Sequence, residues 1–292
     1  MSEYIKLLRP HQWTKNILCY AGLIFSGLYF QGDNIFLSSL VFVIFSLTSS
    51  SVYILNDIVD IKKDQCHPKK KYRPIASGNI SIRAAQFLGV SLALFCLFSA
   101  YYIDLSLLVI IGLYFLNNIF YTIYFKHIPI IDVLSIAFGF EMRLFSGIYI
   151  LADKPTAWIV LCVMFLAMFL GFSKRRAEMA SSKSWSMEEV LQRPVLRKYD
   201  RQFLELSVNN TALASILAYS IFTTLPGNNP TLIFTVPIVI YAIMHYQQIT
   251  ISTSYGEEPD VILLTDWKLI ASVILWLTSY ILITIFNIHQ II

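Results

Sequence analysis

Residues 40–64 read LVFVIFSLTSSSVYILNDIVDIKKD. Positions 40–55 carry no charge. Asn56, Asp57, Asp60 and Asp64 then fall within nine residues. A helix needs about 20 predominantly apolar residues to cross a bilayer, and the uncharged run reaches back to about residue 35. The stretch reads as a membrane-spanning helix with a cluster of carboxylates at its polar end.

The rest of the chain supports that reading. It has 292 residues, 57% hydrophobic and only 14% charged, whereas soluble domains carry about 25% charged residues. Nine apolar runs are long enough to span, at about 17–31, 35–55, 84–103, 105–125, 130–150, 156–173, 208–225, 230–250 and 268–288. They are too long and too continuous for barrel strands, which are short and alternate in polarity. The expectation is an all-α polytopic membrane protein with nine transmembrane helices, forming a single domain over residues 1–292. No cleavable signal is expected in the charged, amphipathic residues 1–16. The four cysteines are scattered, without a CxxC pair, so neither a disulfide framework nor a zinc site is expected.

Lysine and arginine gather in cytoplasmic loops. With nine alternating spans and a cytoplasmic N-terminus, all but Arg143 and Lys154 of the 22 basic residues fall on one side. The long polar loops 56–83 and 174–207 lie there, with a shorter one at 251–267. No nucleic-acid partner is expected, and a homo-oligomer is allowed.

If the second span continues as a helix past Leu55, Asp57, Asp60 and Asp64 stand at i, i+3 and i+7 on one face. Asn56 and Asp60 form an i, i+4 pair. Such a helix end can be merely solvated. However, negative charge at a helix C-terminus opposes the macrodipole, and a bound divalent cation would offset that cost. Magnesium is commonly held by one or two carboxylates together with substrate phosphates. HPKKKYRPIASG follows at 67–78. Its basic residues can face anionic lipid or bind phosphate. Arg73, in the stiff Arg-Pro-Ile-Ala-Ser-Gly turn, is the stronger phosphate candidate, and Lys70 and Lys71 remain open.

These residues resemble the UbiA superfamily of intramembrane prenyltransferases, whose Asn-Asp-x-x-Asp-x-x-x-Asp motif is matched by Asn56, Asp57, Asp60 and Asp64. The resemblance covers almost the whole chain and implies nine helices around a central cavity. It also implies a second aspartate-rich motif, but here that place reads GFSKRRAEM (171–179). Lys174, Arg175 and Arg176 stand where acids are expected, and Glu178 is the only acid. That departure is similar to the decaprenyl-phosphate phosphoribosyltransferase subgroup. LRPHQWTKN at 8–16, YFKHIPIIDVLSIAFGFEMR at 124–143 and GEEPDVILLTD at 256–266 resemble the same subgroup.

The resemblance implies transfer of 5-phosphoribose from phosphoribosyl diphosphate to a polyprenyl phosphate, with Mg2+ as cofactor, at the cytoplasmic face of a bacterial inner membrane. Asn56, Asp57, Asp60 and Asp64 would organise the metal and the diphosphate. Arg73 and Lys69 would contact donor phosphates. Lys174, Arg175 and Arg176 would bind either the 5-phosphate or the lipid phosphate. Glu178 would hydrogen-bond the ribose or orient an arginine.

Other polar positions carry two readings. Lys15 is a snorkelling anchor or a phosphate ligand, and Asn16 is its neighbour in the same motif. Glu141 and Arg143 lie inside a span, where ionisable residues are costly and usually functional. The alternative is an ion pair with another helix, and the resemblance leans towards Arg143 facing the cavity. Lys126 and Asp132 fall in the subgroup pattern, while His127 reads as an ordinary loop residue. Asn117 and Asn118 need partners if buried.

The nearest rival function is a UbiA-type prenyltransferase moving a prenyl group from prenyl diphosphate to an aromatic or lipid acceptor. A transporter would gather its polar residues near the bilayer midplane on broken helices, unlike the helix-end cluster here.

Overall fold

The computed structural model of the chain describes residues 3–66, 70–151, 153–181, 194–225, 228–252 and 259–286. Every regular element among them is helical. The chain divides into two compact units, Met1–Lys154 with Trp185–Val195 and Pro155–Ser184 with Leu196–Ile292.

The first unit contains α1 (Glu3–Leu8), a 3-10 helix (Pro10–Tyr20), α2 (Ala21–Phe25), α3 (Gly32–Val59), α4 (Ile61–Gln65), α5 (Ile82–Ile103), α6 (Leu105–Ile123) and α7 (Ile131–Tyr149). At 28 residues, α3 is about 42 Å long, against a hydrocarbon core of about 30 Å. Its last turns therefore extend past the apolar thickness, and they carry Asn56 and Asp57.

Inside α3, Thr48, Ser49, Ser50 and Ser51 are buried. Thr48 donates to the Ile44 carbonyl at 2.8 Å and Ser50 to that of Ser46 at 2.9 Å, which satisfies hydroxyls in apolar surroundings. Small side chains also let helices approach. Ser51 donates to the Gly89 carbonyl of α5 at 3.0 Å, and a Cβ on Gly89 would stand 3.1 Å from Ile54 Cγ2. The opposite face of α5 is an exposed apolar stripe, with Phe87, Leu94, Phe98 and Tyr102 each more than 60% exposed. That inverts the pattern of a soluble helix and suits contact with lipid. Asp104 alone joins α5 to α6 and caps α6 by accepting from the Ser106 and Leu107 amides.

The expected first span, 17–31, is not one regular helix. An eleven-residue 3-10 helix runs to Tyr20, and α2 adds five residues. The cause is packing against α7. A Cβ on Gly22 would stand 1.9 Å from the Gly147 carbonyl oxygen, and one on Gly147 would stand 2.1 Å from that of Cys19. The backbones are in direct contact, and only glycine fits between them.

In the second unit, α8 (Ala157–Ser181) packs on α9 (Arg201–Thr223). A 3-10 helix (Pro230–Thr235), α10 (Val236–Ser252), α11 (Pro259–Thr265) and α12 (Trp267–Phe286) follow. Tyr219 of α9 shares a 2.6 Å hydrogen bond with Thr235 and accepts one from Trp276 Nε1 of α12 at 2.7 Å. Asp266 caps α12 through the Lys268 and Leu269 amides, both at 3.0 Å.

Among the described residues, 6 helices are long and apolar enough to cross a membrane; the other three expected spans fall on the 3-10 helix with α2, on α7 and on α9. Besides the broken first segment, α7 carries Asp132, Glu141 and Arg143, and α9 carries Arg201, Glu205, Asn209 and Asn210. Their length suffices, but their composition is more polar.

Candidate active site

The aspartate motif straddles a break. α3 ends at Val59, Asp60 takes φ −94 and ψ 11, and α4 starts at Ile61. The three carboxylates therefore do not stack on one continuous helical face as the spacing predicts. The Asp64 amide still bonds to the Asp60 carbonyl at 2.9 Å, so Asp57 and Asp64 stay close while Asp60 turns outward, 28% exposed.

Asp57 and Asp64 are buried and share one guanidinium. Arg73 Nη1 donates to Asp57 Oδ1 at 3.0 Å and to Asp64 Oδ2 at 2.6 Å. Two like charges at this spacing would repel, and the bridging cation relieves it. Burial pushes the Asp64 carboxyl above the ordinary aspartate range, and Arg73 only partly offsets that. Asp60 accepts from Lys126 Nζ at 2.9 and 3.1 Å, and Lys63 stands 3.6 Å away. Asn56 Oδ1 accepts from the Thr122 hydroxyl of α6.

The loop that presents Arg73 is fixed at both ends. The Arg73 amide bonds to the Lys70 carbonyl, that of Ser77 to Arg73, and that of Ile80 to Pro74. Gly78 takes φ +80, a conformation that L side chains resist. Ile75 and Ile80 are 2% and 4% exposed and plug into a core with Leu7, Ile54 and Ala85.

Two site residues were missed by the sequence reading. Arg9 Nη2 donates to Asp57 Oδ1, with its guanidinium 5.4 Å from the Tyr53 ring centroid. Thr122 holds Asn56. A weak signal for Arg9 did exist, because Arg-Pro occurs at 9–10, 73–74 and 193–194, and Arg9 and Arg73 both reach Asp57.

Asn16 and Arg143 form a separate buried cluster. Asn16 donates to Ser46 Oγ at 3.0 Å and Ser49 Oγ at 3.2 Å, about 10–15 Å along α3 from Asn56. Arg143 donates through Nε to Asn16 Oδ1 at 2.7 Å, through Nη1 to the Gly139 carbonyl at 2.6 Å and through Nη2 to Tyr114 Oη at 3.1 Å. Phe45, Tyr114 and Phe140 rings surround it. Its partners here are neutral, so the expected alternative of an interhelical ion pair is not what holds it. Both Glu141 carboxyl oxygens are buried with no hydrogen-bond partner among the described residues. Lys15 donates to Gln12. Asn117 and Ser135 exchange two hydrogen bonds that clamp α6 to α7, and Asn118 donates to the Tyr114 carbonyl at 2.8 Å, so both amides are satisfied.

In the second unit, Arg175 and Glu178 form a buried pair at 2.7 Å, which fits the arginine-orienting role for Glu178. Arg176 donates to Thr250 Oγ1 of α10 at 2.8 Å, and Lys174 is half-buried on the same helix end. Lys69 lies outside the described residues, as does part of the 256–266 segment.

The described residues contain no group of three or more His, Cys, Asp or Glu side chains gathered as a metal cage. The donor set nevertheless fits magnesium. A guanidinium nitrogen sits within 3.0 Å of oxygens from both Asp57 and Asp64, so these hard oxygens already surround a cation. Magnesium needs only one or two such carboxylates beside substrate phosphate.

Comparison with known proteins points to one family. The model of the UbiA prenyltransferase family matches residues 16–262. A decaprenyl-phosphate phosphoribosyltransferase of Corynebacterium glutamicum is 28% identical over 93% of this chain and 83% of its own length. One of Mycolicibacterium smegmatis is 28% identical over 95% of this chain and 91% of its own. A UbiA homolog of Archaeoglobus fulgidus, solved bound to GPP and Mg2+, superposes with a TM-score of 0.71 at 20% identity, covering 96% of this chain and 99% of that one.

Proposed function

The chain belongs to the UbiA prenyltransferase family, and from that premise we propose that it transfers 5-phosphoribose from phosphoribosyl diphosphate to a polyprenyl phosphate, releasing diphosphate. The observation that carries the reading is the cluster of Asp57, Asp60 and Asp64 held by Arg73 and Lys126 at the polar end of α3. Carboxylates alternating with cations suit a substrate that brings both metal and phosphate. The basic Lys174–Arg176 segment and the relatives' names favour the phosphoribosyl donor over a prenyl diphosphate.

In this mechanism the bond between the anomeric carbon and the diphosphate oxygen breaks, and a lipid phosphate oxygen bonds to that carbon. The carbon passes through oxocarbenium-like character, as in glycosyl transfer. The lipid phosphate is already anionic at neutral pH, so no general base is required. Arg73 and Lys126 hold the departing diphosphate, for which their charge-assisted donors are suited. Arg73 offers a planar fork that lysine lacks. Thr122 fixes the Asn56 amide, so its oxygen keeps one direction. Magnesium, held by Asp57, Asp60, Asp64 and Asn56, would neutralise charge on the leaving group. Lys174, Arg175 and Arg176 are the chain's candidates for the remaining phosphate. Given the charge placement of the loops, the reaction faces the cytoplasm, where a soluble donor arrives from water.

The test uses purified protein in detergent with magnesium. Radiolabelled phosphoribosyl diphosphate is offered with a polyprenyl phosphate, and separately a prenyl diphosphate with 4-hydroxybenzoate. Label should enter lipid only with the first pair and be lost in Asp57→Asn. Product from the second pair alone would make this chain an ordinary prenyltransferase.

A further inference from the structure

Arg9 lies between α1 and the 3-10 helix and has φ 53 and ψ 58. Few non-glycine residues adopt this left-handed region, and strain of this kind clusters at functional sites. The side chain accounts for its persistence. Its Nη2 bonds to Asp57 Oδ1, and its guanidinium lies over Tyr53. The side chain is only 19% exposed.

Asp57 Oδ1 therefore accepts from two guanidinium groups, those of Arg9 and Arg73. One carboxylate faces two positive charges. A divalent ion joining the same oxygen while both remain would bring a third cation onto this carboxylate, and their mutual repulsion opposes it. The two arginines are not equally tied. Arg73 is also bonded to Asp64 at 2.6 Å, and its loop is plugged by Ile75 and Ile80. Among the described residues, Arg9 pairs with no carboxylate other than Asp57.

We propose that Arg9 is the resident counter-cation of Asp57, and that it leaves the carboxylate when metal and diphosphate bind and then donates to a diphosphate oxygen. This rests on the proposed reading in taking a divalent ion at Asp57 and a diphosphate as the ligands. Arg9 thus opposes entry of the bare metal and favours entry of metal together with diphosphate. The strained backbone holds the guanidinium within reach of both positions.

The experiment measures two affinities in the full-length protein. Mn2+ binding without substrate is followed by the paramagnetic resonance of the free ion. Inorganic diphosphate binding at saturating Mn2+ is followed by calorimetry. Arg9→Gln should bind Mn2+ alone several-fold tighter, because the competing cation is gone. It should bind diphosphate about tenfold more weakly, because a charge-assisted donor is lost. Arg9→Lys should stay near wild type in both. A purely structural role would weaken both affinities together, and a bystander would move neither; either result overturns the proposal, as does any other in which the two do not move in opposite directions. Asp57→Asn separates this from the metal assignment itself. If Mn2+ binding survives that substitution unchanged, the aspartate site is what fails.

Discussion

Replacing Gly147 with alanine tests the close backbone contact between the N-terminal 3-10 helix and α7. Alanine normally stabilises a helix over glycine by about 1 kcal/mol. Here its Cβ would stand 2.1 Å from the Cys19 carbonyl oxygen. An ordinary C···O separation is about 3.3 Å, so the 3-10 segment and α7 must part by roughly 1.2 Å. Overpacking of this kind costs about 1–3 kcal/mol. The same movement stretches the 2.7 Å bond between Arg143 and Asn16, which joins the same two elements. A hydrogen bond to a charged group contributes about 1.5–3 kcal/mol. The expected loss is thus about 3 kcal/mol or more, which is roughly 100-fold in the opening equilibrium at about 1.4 kcal/mol per tenfold. Cys19 is fully buried at this contact and reports it directly. With Cys66, Cys96 and Cys162 changed to serine, maleimide should label Cys19 about 100 times faster in Gly147→Ala. The control is Gly112→Ala in α6, where a Cβ meets nothing within 4 Å and labelling should not accelerate. Unchanged Cys19 protection in Gly147→Ala, or equal loss in both variants, would refute the reasoning.

Three further outcomes are expected. Thr122→Val removes the donor to Asn56 at nearly constant volume, and turnover should fall about 2- to 10-fold, following the typical net worth of one hydrogen bond, with the melting temperature little changed. Arg73→Lys keeps the charge but loses the guanidinium's other nitrogens, which remain for the diphosphate while Nη1 bridges Asp57 and Asp64, so KM for the diphosphate donor should rise about tenfold or more in steady-state kinetics. Partial burial works against ionisation of Asp266, but the Leu269 amide, His245 and the Lys268 amide outweigh it and hold the carboxyl below the ordinary aspartate range. A lowered value stabilises the fold above the unfolded value of about 3.9, and that contribution is lost as pH falls through the depressed one. Asp266→Ala should therefore lower stability by about 1 kcal/mol at neutral pH, with the difference shrinking in acid melts.

Much of this was legible in residue order. Apolar runs placed the long helices, because length and lack of charge decide what a bilayer accepts. The aspartates stood out because four polar groups in nine residues are costly at a helix end. The irregular first segment was not legible. Its residues are as apolar as any span, and the break comes from contact with Gly147, more than 120 positions away in the chain. Asp60 likewise leaves the common face where α3 breaks, and there it meets Lys126 from another helix connection. Arg9 was hidden for a different reason. Basic residues before a first span are expected on topological grounds, and that explanation absorbed it. Nothing in the residue order marked the serines of α3, yet Ser46, Ser49 and Ser50 bond to Asn16 and Trp13 and so dock the N-terminal segment.

The loop carrying Arg73 reaches the site with its conformational freedom already spent. Ordering a residue's backbone costs about 1–2 kcal/mol, so holding 73–80 in one shape amounts to roughly 8–16 kcal/mol. Burial of Ile75 and Ile80 offsets about 3–6 kcal/mol of that in the folding of the first unit and not in the encounter with substrate. On the proposed reading, donor affinity is set in part by two buried methyl-bearing side chains that belong to the core. Selection on binding can act there without altering a single polar contact.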